Sequence, residues 1–482
     1  MTVFNRMMMF FFIILTSLLG FNCTGERIES VPPPPPVLEE VAVSLYLSTN
    51  NGVAKFNKQE ETFYLASENN LPTIEINTAE TYQTMDGFGF SLTGGSALHL
   101  NHMNPVKRLQ LLNELFTFDN ENIGVSYLRI SIGASDLDAN TFSYNDLPVG
   151  ETDEEMEHFS LAPDQENLIP ILKEILAINP EILIMGSPWS PPTWMKTNGS
   201  TVGGELKPEY FTAYANYFVK YIEEMANEGI RIDAITVQNE PLHPGNNPSL
   251  FMPAETQAEF IKTALGPAFE AAGITTKIII YDHNADRTDY PISILNDSEA
   301  KKYIDGSAFH LYGGEMGNLS DVHNAHPDKN LYFTEQWIGA PGYFGGDLEW
   351  HTKNLIIGAA RNWCKTILEW NLAADSNLEP HTDGGCTACL GALTIDGDNI
   401  VRNPAYYIIA HASKFVRPGS IRIESNIPNE LPNVAYQTPE GKLVVIVLND
   451  SGTQQNFNIK WNDQMFKAKL ASKSVGTFVW NL

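Results

Sequence analysis

Basic residues are scarce in this chain. Against 58 Asp and Glu there are only 30 Lys and Arg over 482 residues, giving a formal net charge of −28. Binding to nucleic-acid phosphates needs a clustered basic face, so this deficit excludes that class of partner. It equally disfavours a peripheral helix on anionic lipid, and its plain consequence is solubility. Cysteine is nearly absent. After Cys23 only Cys364, Cys386 and Cys389 remain, an odd number that describes no disulfide framework. Cys386-Thr387-Ala388-Cys389 has the spacing of a redox or zinc pair, but no second pair or nearby His-x-x-x-His completes a metal site. The flanking Gly384-Gly385 marks a loop, and a local disulfide or loop staple is the favoured reading. No metal or other cofactor is expected, and nothing in the chain implies a protein partner. Internal repeats are absent as well.

The N-terminal apolar run, Met7 to Phe21, falls short of the roughly 20 residues of a spanning helix. With Arg6 ahead of it, the run reads as a signal peptide over residues 1–22. Cys23 directly after it suggests a bacterial lipoprotein signal, with lipid on that cysteine as a membrane attachment. Gly20-Phe21-Asn22 is a poor match to the small residues usual there, which keeps ordinary secretion as the alternative. Either way the protein is expected to be exported, to the periplasm or as an outer-membrane or cell-surface lipoprotein of a Gram-negative-type bacterium. Pro32 to Pro36 make residues 23–40 an extended, semi-rigid linker.

What remains is rich in core material, with 43% hydrophobic and 11% aromatic residues. Residues 41–85 read as short strands and turns. Over 86–415, apolar strand runs alternate with amphipathic helices: Gly87 to Ser91, Ser126 to Ile130, Ile182 to Met185, Ala234 to Val237, Lys277 to Tyr281, Gly306 to His310, Leu331 to Thr334 and Thr366 to Trp370. Tyr210, Tyr214, Tyr217, Phe218, Tyr221, Ile222 and Met225 recur at helical steps and mark a packing face. About eight strand–helix units imply an α/β fold, a (β/α)8 TIM barrel. Residues 416–482 change to short strands and turns, as in Val444 to Leu448, and predict a β-sandwich that the N-terminal strands join.

Thr236-Val237-Gln238-Asn239-Glu240-Pro241 ends one such strand, because Pro241 cannot continue a ladder. Leu331 to Glu335 delivers a second glutamate to the same rim, where barrels build active sites. A lone glutamate there is more often a helix cap or a rim salt bridge. Two of them match retaining glycoside hydrolysis, with one protonated acid and one ionised nucleophile separated by about 5–5.5 Å.

These stretches, together with Asp86-Gly87-Phe88-Gly89, Leu128-Arg129-Ile130, Gly186 to Asn198, Ala308 to Tyr312, Glu369-Trp370-Asn371-Leu372 and Ser413-Lys414-Phe415, resemble glycoside hydrolase family 30, the glucosylceramidase-like family. The long Trp-bearing run around Trp189 is the most specific of them. The resemblance implies that Glu240 is the acid/base and Glu335 the nucleophile. It also implies that Asn239 bonds the sugar 2-OH, that Arg129 and Tyr312 hold Glu335, and that His310 orients the nucleophile's surroundings, with a satisfied structural histidine as the alternative. Asp136 would grip distant sugar hydroxyls, with Trp189 and Trp370 as subsite aromatics; either Trp could instead be plain core. Glu240 is expected to have a raised pKa and Glu335 a lowered one.

Phe90 to Gly95 replaces the more usual family run, which has an Asp after Thr, whereas Ala373 to Leu390 departs from the animal glucosylceramidases and resembles bacterial members near the β-1,6-glucanases. The implied function is a retaining β-glycosidase acting on a β-glucan or β-glucoside, with β-1,6-glucan favoured. Glucosylceramide is the alternative substrate. A catalytically silent glycan-binding lipoprotein is an alternative of another class.

Overall fold

The apolar strand runs pair in parallel and close on themselves. The computed structural model describes residues 39–482; the expected signal segment, Cys23 and most of the proline-rich linker lie outside the described residues. The barrel strands are β1 (Gly87–Ser91), β2 (Tyr127–Ser131), β3 (Leu183–Ser187), β4 (Ala234–Thr236), β5 (Lys277–Asn284), β6 (Ile304–His310), β7 (Asn330–Glu335) and β8 (Cys364–Asn371). They form one closed barrel in that order, with β8 pairing β1. Helices cover the outside, so β1 and β2 are buried at every position and neither face meets solvent. Gly89 is required by close approach: a Cβ there would meet the Tyr127 carbonyl oxygen at 1.9 Å.

Inside the barrel the side chains stack in layers. Tyr127, Met185, Ala234, Ile279, Ala308, Tyr332 and Leu368 form an apolar floor. Successive residues of a strand face opposite sides, so the next inward layer comes two residues later. On six of these strands that layer is Arg129, Ser187, Thr236, His310, Thr334 and Trp370. The floor therefore seals the barrel below a polar layer facing the rim. The helix expected from the Tyr214–Tyr221 stripe spans Phe211–Asn227 and buries Tyr214, Tyr217, Phe218, Tyr221 and Met225. A second helical run, Ala254 to Ala272, contains a π-turn at Ile261–Leu265. It ends at Gly273, whose φ of 67° is the left-handed C-cap that glycine adopts without strain. No helix among the described residues is long and apolar enough to cross a membrane.

The C-terminal strands make a nine-stranded sheet with three N-terminal partners, Ser44–Ser48, Asn57–Gln59 and Thr73–Thr84. The sheet folds over a second core in which Phe478 meets Phe457, Phe63 and Phe466. One buried histidine joins this module to the barrel. His411, on the helix Pro404–Ser413, bonds Thr477 Oγ1 at 2.9 Å and Ser48 Oγ at 2.8 Å. Burial among neutral partners lowers it from the ordinary 6.5 to about 3. The unfolded chain then binds a proton that the folded chain refuses. Stability from this residue is complete above 6.5 and is lost as pH falls toward about 3. The loss has a limiting slope of about 1.4 kcal/mol per pH unit. His411→Gln should flatten this part of the acid limb in denaturant unfolding; an unchanged slope would show that His411 is not the group responsible.

Candidate active site

Arg129 organises the polar layer. Fully buried on β2, it donates from Nη1 to Glu335 Oε2 at 2.7 Å. Its Nη2 donates to Asn239 Oδ1 at 2.7 Å, Asp282 Oδ2 at 2.8 Å and Ser187 Oγ at 3.1 Å. A guanidinium suits this position because its planar fork serves several acceptors at once and stays charged. With its oxygen committed to Arg129, Asn239 has its amide NH2 left to donate into the cavity it lines.

Asp282 was not a candidate from the sequence. On strict alternation Tyr281, not Asp282, would follow Ile279 into the barrel. A register shift against β6 between Tyr281 and His283 breaks the alternation, with φ of 71° at Tyr281 and 64° at Asp282. Two consecutive left-handed non-glycine residues are strained, and such strain concentrates at functional sites. The shift sends Tyr281 into the outer core, against Tyr290, and turns the Asp282 carboxylate inward. There Asp282 accepts from Thr334, Thr236 and Ser187 as well as Arg129. Arg129 and His310 overcome burial and hold its carboxyl well below the usual carboxylate range.

Strand β4 stops at Thr236, short of Glu240, which sits in a turn with φ of 45°. Its amide N–H donates to the Asp282 carbonyl at 3.0 Å, fixing the turn from the neighbouring strand. Glu335 is the last residue of β7. His310 stands between the two glutamates, with Nδ1 at 3.0 Å from Glu240 Oε1 and 3.8 Å from Glu335 Oε1, so it serves Glu240 first. Its Nε2 lies 3.2 Å from Asp282 Oδ1. Tyr312 Oη donates to Glu335 Oε1 at 2.9 Å.

The electrostatics reverse the expected directions. Burial raises the Glu240 carboxyl, but the His310 hydrogen bond and charge, helped by His283 and His243, bring it below its ordinary value. Burial lifts Glu335 above its ordinary value against the pull of His310 and Arg129. Burial alone would lower His310, yet Glu335, Asp282 and Glu240 push it up to about 9. In the resting site His310 is thus favoured in its charged form, with Nδ1 a hydrogen bond away from Glu240. The charge on His310, brought from another strand, is what lowers Glu240 below the value expected from burial beside a second carboxylate.

Above the glutamates lies a cavity of about 260 Å³, lined by Asp136, Trp189, Asn239, Asn246, Tyr312, Trp337 and Trp370 among others. Trp189 and Trp370 pack at 5.4 Å between ring centroids, with the Arg129 guanidinium 4.8 Å from the first ring and 5.6 Å from the second. Both are nearly buried, in a cluster with Leu137 and Cys389, and line the cavity as its apolar part. Asp136 is buried at the rim, and burial, then Glu335, pushes it up to about 7. A larger cavity of about 680 Å³ opens at the far end of the barrel around Asp86, Arg231, Asp233 and Lys277. It lies below the apolar floor, away from both glutamates, on the face where barrels invest in stability.

One ligand atom each from Glu240, His310 and Glu335 lies within 4.8 Å of the others, the one such grouping among the described residues. A cation could be held at that spacing, although these lone pairs already serve Arg129, Tyr312 and one another. A carboxylate pair this close falls in the retaining class of glycosidases, well short of the roughly 6.5–9.5 Å of inverting enzymes.

The glycosyl hydrolase family 30 TIM-barrel model matches residues 85–416, and the family 30 β-sandwich model matches 419–478. The chain belongs to glycosyl hydrolase family 30. It is 32% identical over 435 residues to an endo-1,6-β-D-glucanase of Aspergillus fumigatus, covering 84% of this chain and 87% of that one. An endo-1,6-β-D-glucanase of Neurospora crassa is 36% identical over 363 residues, 72% of this chain and 74% of that one. The lysosomal acid glucosylceramidase of Mus musculus is 28% identical over 436 residues, 84% and 83% of the two chains. A solved endo-β1,6-glucanase superposes with a TM-score of 0.86 at 36% identity, covering 91% of this chain and 99% of that one. As a family 30 member the protein is a glycoside hydrolase on a (β/α)8 barrel with a β-sandwich.

Proposed function

We propose that this enzyme hydrolyses β-D-glucosidic bonds with retention, and that β-1,6-glucan or its oligosaccharides is the substrate. The spacing of Glu240 and Glu335 is the observation that carries the mechanism. Glu335, held by Arg129 and Tyr312, attacks the anomeric carbon. Glu240 passes the proton it shares with His310 to the departing oxygen. Forming the glycosyl-enzyme ester removes the charge of Glu335. With its proton gone to the departing oxygen, Glu240 is left as a carboxylate and deprotonates the incoming water, the proton returning to the Glu240–His310 pair. Asn239 bonds the sugar 2-OH, and Asp136 the hydroxyls across the cavity.

Glucan is preferred over glucosylceramide because the glucanase relatives are 32% and 36% identical and the mouse glucosylceramidase 28%. The test is incubation with β-1,3-, β-1,4- and β-1,6-glucans, aryl glucosides and glucosylceramide. Soluble oligosaccharides from β-1,6-glucan, with a β-configured first product by NMR, are expected. An α-configured first product, or cleavage of glucosylceramide alone, would refute one half of the proposal or the other. We further propose that the enzyme is exported and lipid-anchored at Cys23. Cys23→Ala should then abolish labelling by a radioactive fatty acid, and persistent labelling would remove Cys23 as the anchor.

A further inference from the structure

The nine residues from Thr382 to Leu390 follow β8 and take no part in the chemistry above, yet two of them, Cys386 and Cys389, line the sugar cavity. Cys386 and Cys389 are joined in a disulfide that lines the cavity. Cys389 packs in one buried cluster with Leu137, Trp189 and Trp370. The same short loop bonds outward to three others. Toward the loop after β2, the Cys386 amide donates to Asp136 Oδ2 at 3.3 Å and the Thr382 amide to the Asp136 carbonyl at 2.9 Å. Gly385 comes so close that a Cβ there would meet that carbonyl at 2.4 Å. Toward the loop after β4, the Thr382 hydroxyl donates to the Asn247 carbonyl, and Asn247 Nδ2 donates to the Asp383 carbonyl at 2.7 Å. Toward the loop after β7, Gly339 pairs with Cys389 and Ile338 with Leu390, and the Ala340 amide donates to the Ala388 carbonyl at 2.9 Å. Asp136, Asn246 and Trp337, one from each of these loops, line the cavity.

We propose that this disulfide-closed loop is the positioning element of the sugar pocket, fixing Asp136 and tying three rim loops into one wall, so that the disulfide sets affinity for the bound glucosyl unit. The proposal deepens the glucosidase reading and rests on it. A bridge between residues only three apart removes little loop-closure entropy from the unfolded chain. Its effect is therefore local. It restricts the conformations of a short loop whose backbone amides must stay aimed at Asp136, and pre-organisation of that kind appears in binding.

The test opens the bridge in the folded enzyme. A phosphine supplies two electrons, two protons come from water, the S–S bond becomes two thiols, and the phosphine becomes its oxide. Alkylation and peptide mass then verify that Cys386 and Cys389 are reduced. A Cys386→Ser, Cys389→Ser double variant provides an independent route. For both forms, KM for an aryl β-D-glucoside and the dissociation constant of glucose by calorimetry should rise about tenfold, the worth of roughly one hydrogen bond to a charged group. The turnover number should change less than about threefold, and Tm by only a few degrees. Unchanged KM and glucose affinity in verified reduced enzyme would overturn the proposal. So would a collapse of Tm in both forms, which would make the bridge a global staple. An untreated enzyme inactive on every glucoside would refute the glucosidase reading instead, and glucose calorimetry would still test the loop.

Discussion

Glu335→Gln lowers turnover of an aryl β-D-glucoside by roughly 10⁵-fold, the scale on which removal of an enzyme's nucleophile is felt. The amide is nearly isosteric with the carboxylate and its oxygen can still accept from Arg129 or Tyr312, which now hold Glu335 at 2.7 and 2.9 Å. What it lacks is the charge that attacks the anomeric carbon, so no glycosyl-enzyme forms. Glucose affinity should stay within a few-fold, because Asn239, Asp136 and Trp370 are untouched. The measurement is single-turnover kinetics beside glucose calorimetry on pure protein. Activity near that of the unaltered enzyme would exclude Glu335 as nucleophile. The substitution also removes the anion that does most to keep the His310 proton in place, so the value of about 9 should fall. An NMR titration of the imidazole would read that shift directly.

Glu240→Ala produces a different signature. General acid–base catalysis is worth about 10²–10⁴-fold, and the loss should be smaller for aryl glucosides whose leaving group needs no proton. With those substrates the glycosyl-enzyme still forms but waits for a base. Azide needs none, so it should restore turnover and release a β-glucosyl azide. Failure of azide to rescue, or an α-configured adduct, would remove Glu240 from the acid/base role. The pH profile follows from the same site. In the unaltered enzyme kcat/KM should fall as pH rises through about 9, where the proton shared by His310 and Glu240 is lost. It should also fall in acid as Glu335, its value raised by burial, takes up a proton. In Glu240→Ala the alkaline fall should weaken for good leaving groups, because the proton no longer has a task.

Much of this site could be read from the chain itself. Apolar runs with β-branched residues at 182–185, 234–237 and 277–281 are short-range signals, and short-range signals decide where strands form. Period-two alternation places Arg129, His310 and Trp370 on the inner face once their strands are known. Glu240 and Glu335 stand out because each comes where an apolar strand run gives out, Glu240 directly before Pro241. The fold class followed from the alternation of strands with amphipathic stretches. The Cys386–Cys389 spacing indicated a staple, although nothing in it showed what the staple holds.

By itself, then, the sequence determined the barrel, the two glutamates at its rim and the type of reaction they suit, because local periodicity and chain order carry that information. Only the tertiary structure decided that Asp282 faces the site, since a register shift in β5 breaks the alternation by which inward residues are counted. It also decided that His310 stands between the glutamates and holds the proton. A pKa belongs to the charges gathered within a few ångströms, and here they come from strands far apart in the chain. The rim is decided in the same way. The loop around Cys386 acts on Asp136 across some 250 residues of sequence, through hydrogen bonds that exist only after the barrel has closed.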